Sequence, residues 1–289
     1  MKTGVLTSGV SGDFEHALAV IREDGFRYVE IQFAWGVEDG SRTPIQEEKI
    51  RQLLNRYGMQ CTAVMRNLFS GLRLDETSLD SRAYRASLDM LRSTAALARS
   101  YGCTLTRINA FDRHAVLFGD GGAEKHLTAG NKSWARYLRL MEPVCQIAED
   151  EGIDIMIETG TGSLLHTAAL MRRALDELGC SRLYALWDPA NCLYTGERPY
   201  PDGYEILRGR IAEIHIKDIR FRRELASVTY CPVGQGMMTQ YLDDLAAALR
   251  RDAFAGGVIL ENQVTPSGGT EEDGYRLSVP VFRTIFGRS

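Results

Sequence analysis

Ile153-Asp154-Ile155-Met156-Ile157-Glu158 opens the stretch, running to Asp218, whose reading decides the fold. Leu183-Tyr184-Ala185-Leu186-Trp187-Asp188 repeats its form. So does Ile211-Ala212-Glu213-Ile214-His215, followed by Ile216-Lys217-Asp218. Beyond the stretch, Gly257-Val258-Ile259-Leu260-Glu261 does so once more, with Asn262 after it. Each is a short apolar run that ends in a residue able to bind a metal. Such runs, rich in β-branched residues and bounded by turn signals, read as buried parallel strands. A polar residue at the carboxyl end of a strand of this kind faces the mouth of an α/β fold, where chemistry is usually placed. Two glutamates, one aspartate and one histidine form a mixed oxygen and nitrogen donor set. It suits one divalent ion, Mn²⁺, Mg²⁺, Co²⁺ or Zn²⁺.

Working outward, a helical pattern closed by glycine and followed by an apolar residue recurs along the chain. It stands at Asp24-Gly25-Phe26, Tyr57-Gly58-Met59, Tyr101-Gly102-Cys103, Glu151-Gly152-Ile153 and Leu178-Gly179-Cys180. Glycine just past a helix takes the left-handed conformation at little cost, so these are helix-to-strand joints. Their succession predicts repeated β-α units and a parallel sheet. The units read in order as strands near Gly4 to Ser8, Tyr28 to Gln32, Gln60 to Met65 and Leu105 to Asn109, then the four metal-bearing strands. Thr43, Pro44 and Gln46 mark a helix start by capping box and first-turn proline. The last helix is expected near Gly274 to Phe286. Residues 111–131 are polar and glycine-containing, and would either cover the mouth or form a mobile loop. With no linker-like or low-complexity stretch, residues 1–289 read as a single domain.

The length of 289 residues fits one barrel of parallel strands, which commonly takes about 250. A net charge of −4 argues against a nucleic-acid partner, which usually leaves a basic footprint. No apolar run approaches the roughly 20 residues needed to span a bilayer, so no membrane partner is expected. The start lacks the apolar core of a secretory signal. The six cysteines are scattered with no C-x-x-C pair, and read as reduced in a cytoplasmic protein.

The motifs carry a resemblance. Ile-Glu-Thr-Gly at 157–160, Trp-Asp-Pro-Ala-Asn at 187–191 and His-Ile-Lys-Asp at 215–218 resemble successive strand-end motifs of the xylose isomerase-like TIM barrels. Pro-Val-Gly-Gln-Gly at 232–236 and Leu-Glu-Asn at 260–262 do likewise. More narrowly they are similar to the sugar phosphate isomerase/epimerase group, which includes ketose 3-epimerases, hydroxypyruvate isomerases, and inosose isomerases and dehydratases. The motifs cover the second half of the chain; the first half matches in its β-α rhythm and length. The resemblance implies a (β/α)₈ barrel in which Glu158, Asp188, His215 and Glu261 bind one divalent cation. It also implies that Glu158 and Glu261 flank the substrate as a proton-transfer pair.

The expected activity is isomerisation or epimerisation of a small sugar, sugar phosphate or cyclitol through an enediolate. A lyase or dehydratase acting on a keto-sugar or inosose uses the same residues. A non-catalytic sugar-binding protein on the same barrel is the reading from another class. Relatives that epimerise free ketoses tend to carry histidine three residues after the aspartate and an acid inside the Gly-x-Gly. This chain has Asn191 and Gln235 there. Endonuclease IV shares the barrel, but its multi-zinc site needs more histidines than the five present.

Further positions are candidates for substrate contact, each with a plainer alternative. Lys217 and Arg220 would hold a hydroxyl, carbonyl or phosphate, or form a solvent-facing basic loop. Asn191 would orient a ligand or touch substrate, or serve as a turn amide after Pro189. Trp35 would pack on a sugar's apolar face, or belong to the core. Asn109 ends the fourth strand, and His114 in the loop after it would contact substrate, or be the solvated histidine usual in a loop. Gly234-Gln235-Gly236 would let backbone approach a phosphate, or form a tight loop. The sugar is selected by the loops at the mouth, chiefly residues 33–43, 66–80 and 111–131. Barrels of this kind often pair, so a homo-oligomer is possible, though no stretch specifies one.

Overall fold

The structure is a computed structural model that describes residues 1–112, 132–225 and 227–287. Eight parallel strands close into a barrel: β1 (Lys2–Leu6), β2 (Tyr28–Ile31), β3 (Gln60–Met65), β4 (Leu105–Ile108), β5 (Asp154–Glu158), β6 (Leu183–Trp187), β7 (Ile211–Ile216) and β8 (Gly257–Leu260). Each pairs with its neighbours in sequence, and β8 pairs with β1 to complete the ring, Val5 opposite Leu260. Helices alternate with the strands: α1 (Phe14–Glu23), α2 (Pro44–Tyr57), α3 (Arg82–Ser100), α4 (Lys132–Glu151), α5 (Ala168–Leu178), α6 (Tyr204–Leu207), α7 (Thr239–Arg251) and α8 (Glu271–Phe286).

Local chemistry explains where the elements begin and end. Thr43 and Gln46 form a reciprocal capping box at the start of α2, and Gly58 closes that helix at φ 62°. Asp13 caps α1 by accepting from the backbone N–H groups of Glu15 and His16. Several bounds differ from the sequence reading by a few residues, two of them for a clear local reason. The first strand ends at Leu6, because Thr7–Gly9 turn into a single 3₁₀ turn. The last helix starts at Glu271, because Thr270 and Asp273 make a second capping box. Gly274, which seemed to open that helix, lies within its first turn.

The barrel separates two apolar layers. Ile155, Ile157, Ala185, Trp187, Ile214, Ile216, Val258 and Leu260 belong to the large core between strands and helices. Ala63, Met65, Met156 and Leu186 form a smaller cluster of their own inside the ring. Side chains two apart on a strand share a face. Met156 faces the interior, so Glu158 does too; Leu186 does, so Asp188 follows. This alternation delivers the strand-end residues to one mouth.

Two hairpins rise at that end. Phe33–Ala34 pairs with Val37–Glu38, and Asp218–Arg222 pairs antiparallel with Ser227–Cys231. The second hairpin was not legible from the motif that opens it. Among the described residues no helix is long and apolar enough to cross a membrane.

Candidate metal centre

Glu158, Asp188 and His215 bring donor atoms to within 4.8 Å of one another, and all three are buried. Glu261 joins them from β8, where its Oε2 lies 3.4 Å from His215 Nδ1. The four strand-end residues named from sequence therefore converge.

Cations already compensate part of this charge. Arg107, at the end of β4, places Nη1 2.5 Å from Glu158 Oε2 and donates from Nη2 to Asn67 Oδ1 at 2.8 Å. Lys217 puts Nζ 2.6 Å from Asp188 Oδ2 and 2.9 Å from Glu261 Oε2. Gln263 donates to Glu261 Oε1 at 2.8 Å. Each of the two candidate acid–base glutamates thus pairs with a cation, Glu261 sharing its Lys217 with Asp188.

Burial and charge compete at every group. Burial would raise the Glu261 carboxyl, but Lys217 and His215 hold it well below the usual carboxylate range. Burial pushes Asp188 up to about 6; Lys217 pulls it down, and nearby Glu261 and Glu158 add to the rise. Burial would lower the Lys217 ammonium, yet Asp188, Glu261 and Glu158 lift it well above its ordinary value. His215 behaves alike: Glu30 and Glu261 outweigh burial and raise it.

Below the mouth lies a second acidic layer. His215 Nε2 is 2.8 Å from Glu30 Oε2, and Glu30 is fully buried in β2. Glu213 is buried beside it. Burial, and then Glu30, hold the Glu213 carboxyl well above the usual range. The strand pairing accommodates this. Gly257 opens β8 opposite Glu213, and a Cβ there would run into that carboxylate.

Asn191 supports Asp188 from both sides. Its backbone N–H donates to Asp188 Oδ1 at 3.1 Å, and its side-chain amide donates to Thr159 O at 3.0 Å. Thr159 Oγ1 in turn accepts from the Asp188 backbone N–H at 2.9 Å. Asn109 follows Arg107 by two residues; its Oδ1 is buried without a hydrogen-bond partner among the described residues. Trp35, in the turn of the first hairpin, lies edge-on to Phe14 at 5.8 Å, with Lys49 Nζ 5.0 Å from its ring centre. Arg220 is exposed on the second hairpin and donates to Gln235 O from Nε and Nη2. His114 lies outside the described residues.

The Gly-x-Gly segment is a tight loop with its donors already taken. Gly234 and Gly236 N–H both donate to Asp218 Oδ2, at 3.1 and 2.9 Å, and Met238 N–H donates to Oδ1 at 2.8 Å. Asp218 fills the concavity a phosphate would need. The same hairpin brings Tyr230 to the mouth, with Lys217 Nζ 5.8 Å from its ring centre.

A family model described as xylose isomerase-like TIM barrel matches residues 18–285. The chain belongs to that family. Among curated relatives of this xylose isomerase-like chain is a fructoselysine 3-epimerase from Escherichia coli O157:H7. It is 26% identical over 246 residues, covering 82% of each protein. A probable 3-DHS dehydratase of petrobactin synthesis from Bacillus anthracis superposes with a TM-score of 0.74 at 16% identity, over 98% of both chains. The apo 3-keto-D-glucoside 4-epimerase of E. coli gives the same score and identity over 98% of this chain and 99% of its own. Likeness to these solved structures, at such identity, is one of fold.

Proposed function

We propose that this protein is a divalent-metal-dependent isomerase or epimerase of a small sugar, sugar phosphate or cyclitol, working by proton transfer between two glutamates. The observation that carries the proposal is the convergence of Glu158 and Glu261 at one mouth with Asp188 and His215. The 26% identity to a fructoselysine 3-epimerase over most of the chain supports a sugar-derived substrate.

The donor set fits a cation on two counts. His215 Nδ1 is buried, lies 3.4 Å from Glu261 Oε2 and has no hydrogen-bond partner among the described residues. Asp188 and Glu261 already share one positive group, the Lys217 ammonium. Glu158, Asp188, His215 and Glu261 would hold the ion. When bound, a divalent cation supplies a Lewis acid that stabilises negative charge on a carbonyl oxygen and its neighbour.

The remaining work falls to side chains. A carbon next to a carbonyl is a weak acid, and a carboxylate beside it removes its proton. Arg107 fixes the Glu158 carboxylate in orientation for that task. Glu261, oriented by Lys217 and Gln263, takes up a proton from solvent and passes it to the substrate, while Glu158 releases its own to solvent. Return to the opposite face gives the epimer; return to the adjacent carbon gives the isomer. The half-exposed Tyr230 ring, 5.8 Å from Lys217 Nζ, would flank an entering sugar.

The test is incubation with Mn²⁺ in deuterium oxide with a panel of ketoses, fructoselysine and inososes, read by mass spectrometry and NMR. Deuterium at the carbon next to the carbonyl, with product mass otherwise unchanged, is the expected result. Turnover with full retention of that hydrogen would overturn the proposal. Loss of the mass of water would instead mark an elimination.

A further inference from the structure

Glu30 belongs to β2, a strand that carries none of the four candidate ligands. We propose that Glu30 is a positioning residue for the metal centre: it fixes the His215 ring through Nε2 so that Nδ1 is the atom offered to the ion. The inference rests on the metal-dependent reading above.

The geometry supports each part. His215 Nε2 lies 2.8 Å from Glu30 Oε2, and both side chains are essentially without solvent contact, so water does not compete for the bond. Nδ1, on the other side of the ring, is buried, without a hydrogen-bond partner among the described residues, and 3.4 Å from Glu261 Oε2. A neutral imidazole carries one N–H and one lone pair. Donation from Nε2 to a carboxylate therefore leaves the lone pair on Nδ1, facing the other ligands. A carboxylate behind a ligating imidazole also raises its basicity and stops the ring from turning.

Glu30 is itself held. Its backbone sits between β1 and β3, paired with Leu6, and its carbonyl accepts from Thr7 Oγ1 at 3.3 Å. Glu213 abuts its carboxylate from β7. A free rotor could not impose an orientation on its neighbour, whereas a wedged carboxylate can.

A rival account is that Glu30 merely packs the barrel interior. That account expects a change in stability without metal and an unchanged affinity for the ion. Outer-shell partners of this kind, when lost, typically cost about 10–100-fold in metal affinity.

The experiment uses metal-stripped full-length protein, wild type and Glu30→Gln, titrated calorimetrically with Mn²⁺, with Co²⁺ absorption as a second readout. The expected result is one site per chain in the wild type, weakened at least about tenfold in Glu30→Gln, with altered Co²⁺ bands. Equal affinity and identical bands would overturn the role of Glu30 while leaving the metal reading intact. No Mn²⁺ binding by the wild type would remove the metal reading, and this inference with it. Should Glu30→Gln not fold, ¹⁵N NMR of the Zn²⁺-loaded wild type decides. A proton on Nε2 with the metal on Nδ1 supports the proposal, and the reverse assignment overturns it.

Discussion

Lys217 Nζ lies 2.9 Å from Glu261 Oε2, and the same ammonium reaches Asp188 Oδ2 at 2.6 Å on its other side. One buried cation thus joins two of the four candidate ligands. Removing one partner of a buried pair leaves the other charge uncompensated, at a cost of about 3–5 kcal/mol. Lys217→Met should therefore lower the melting temperature of the metal-free protein by several degrees. A bound divalent ion would replace the lost charge, so Mn²⁺ should raise the melting point of the variant by more than that of the wild type. Calorimetric scans with and without Mn²⁺ make the comparison, and equal increments would count against it.

Arg107 spans Glu158 and Asn67 with two nitrogens of one guanidinium. A lysine offers a single ammonium and cannot reproduce that fork. Arg107→Lys should retain the fold but release Glu158 from its fixed orientation. The expected loss is about 10–100-fold in kcat/KM, carried mainly by kcat, because a misplaced base chiefly weakens the transition state. A change confined to KM would instead assign Arg107 to substrate binding.

Asp218 accepts from the backbone N–H groups of Ile219, Gly234, Gly236 and Met238, and from Thr239 Oγ1. Each buried donor left without a partner costs about 1–3 kcal/mol. Asp218→Ala should therefore be among the most destabilising single changes near the mouth, exceeding about 3 kcal/mol, and should loosen the loop at residues 232–236. Urea unfolding measures the first effect and amide exchange at Gly234 and Gly236 the second. Near-neutral stability would refute the account.

The barrel and its four strand-end candidate ligands were legible in sequence because both obey simple periodicities. Glycine-closed helices mark the joints, and an apolar run ending in a donor marks each mouth position. What escaped the reading lies inside the strands. Glu30, Arg107 and Glu213 interrupt otherwise apolar strands, and each turns its side chain into the interior. A single charge in such a run looks like a solvent-facing position of an ordinary strand; only closure of the ring turns that face inward. The hairpin bearing Tyr230 was hidden for another reason. Asp218 reads as one more strand-end acid until its carboxylate is seen gathering donors from residues 234–239, a pairing that no local pattern encodes.

The last prediction concerns pH. In the metal-free protein the Asp188 carboxyl is raised to about 6 by burial and by Glu261 and Glu158, against the pull of Lys217. A group whose folded pKa is raised favours the folded state while protonated, and that contribution fades as pH rises through about 6. Metal binding has the matching sign, since Asp188 must release its proton to become a ligand. His215 must release one as well. Burial would lower its pKa, but Glu30 and Glu261 set it well above the ordinary histidine value. Mn²⁺ affinity should therefore climb with pH. Asp188 alone contributes about tenfold between about pH 5 and about pH 7.5, and His215 steepens the rise. Binding should release protons, and more of them at the lower pH. Titrations at those two values, in buffers of different ionisation enthalpy, measure both quantities. A flat affinity with no proton release would mean that Asp188 and His215 do not together hold the ion.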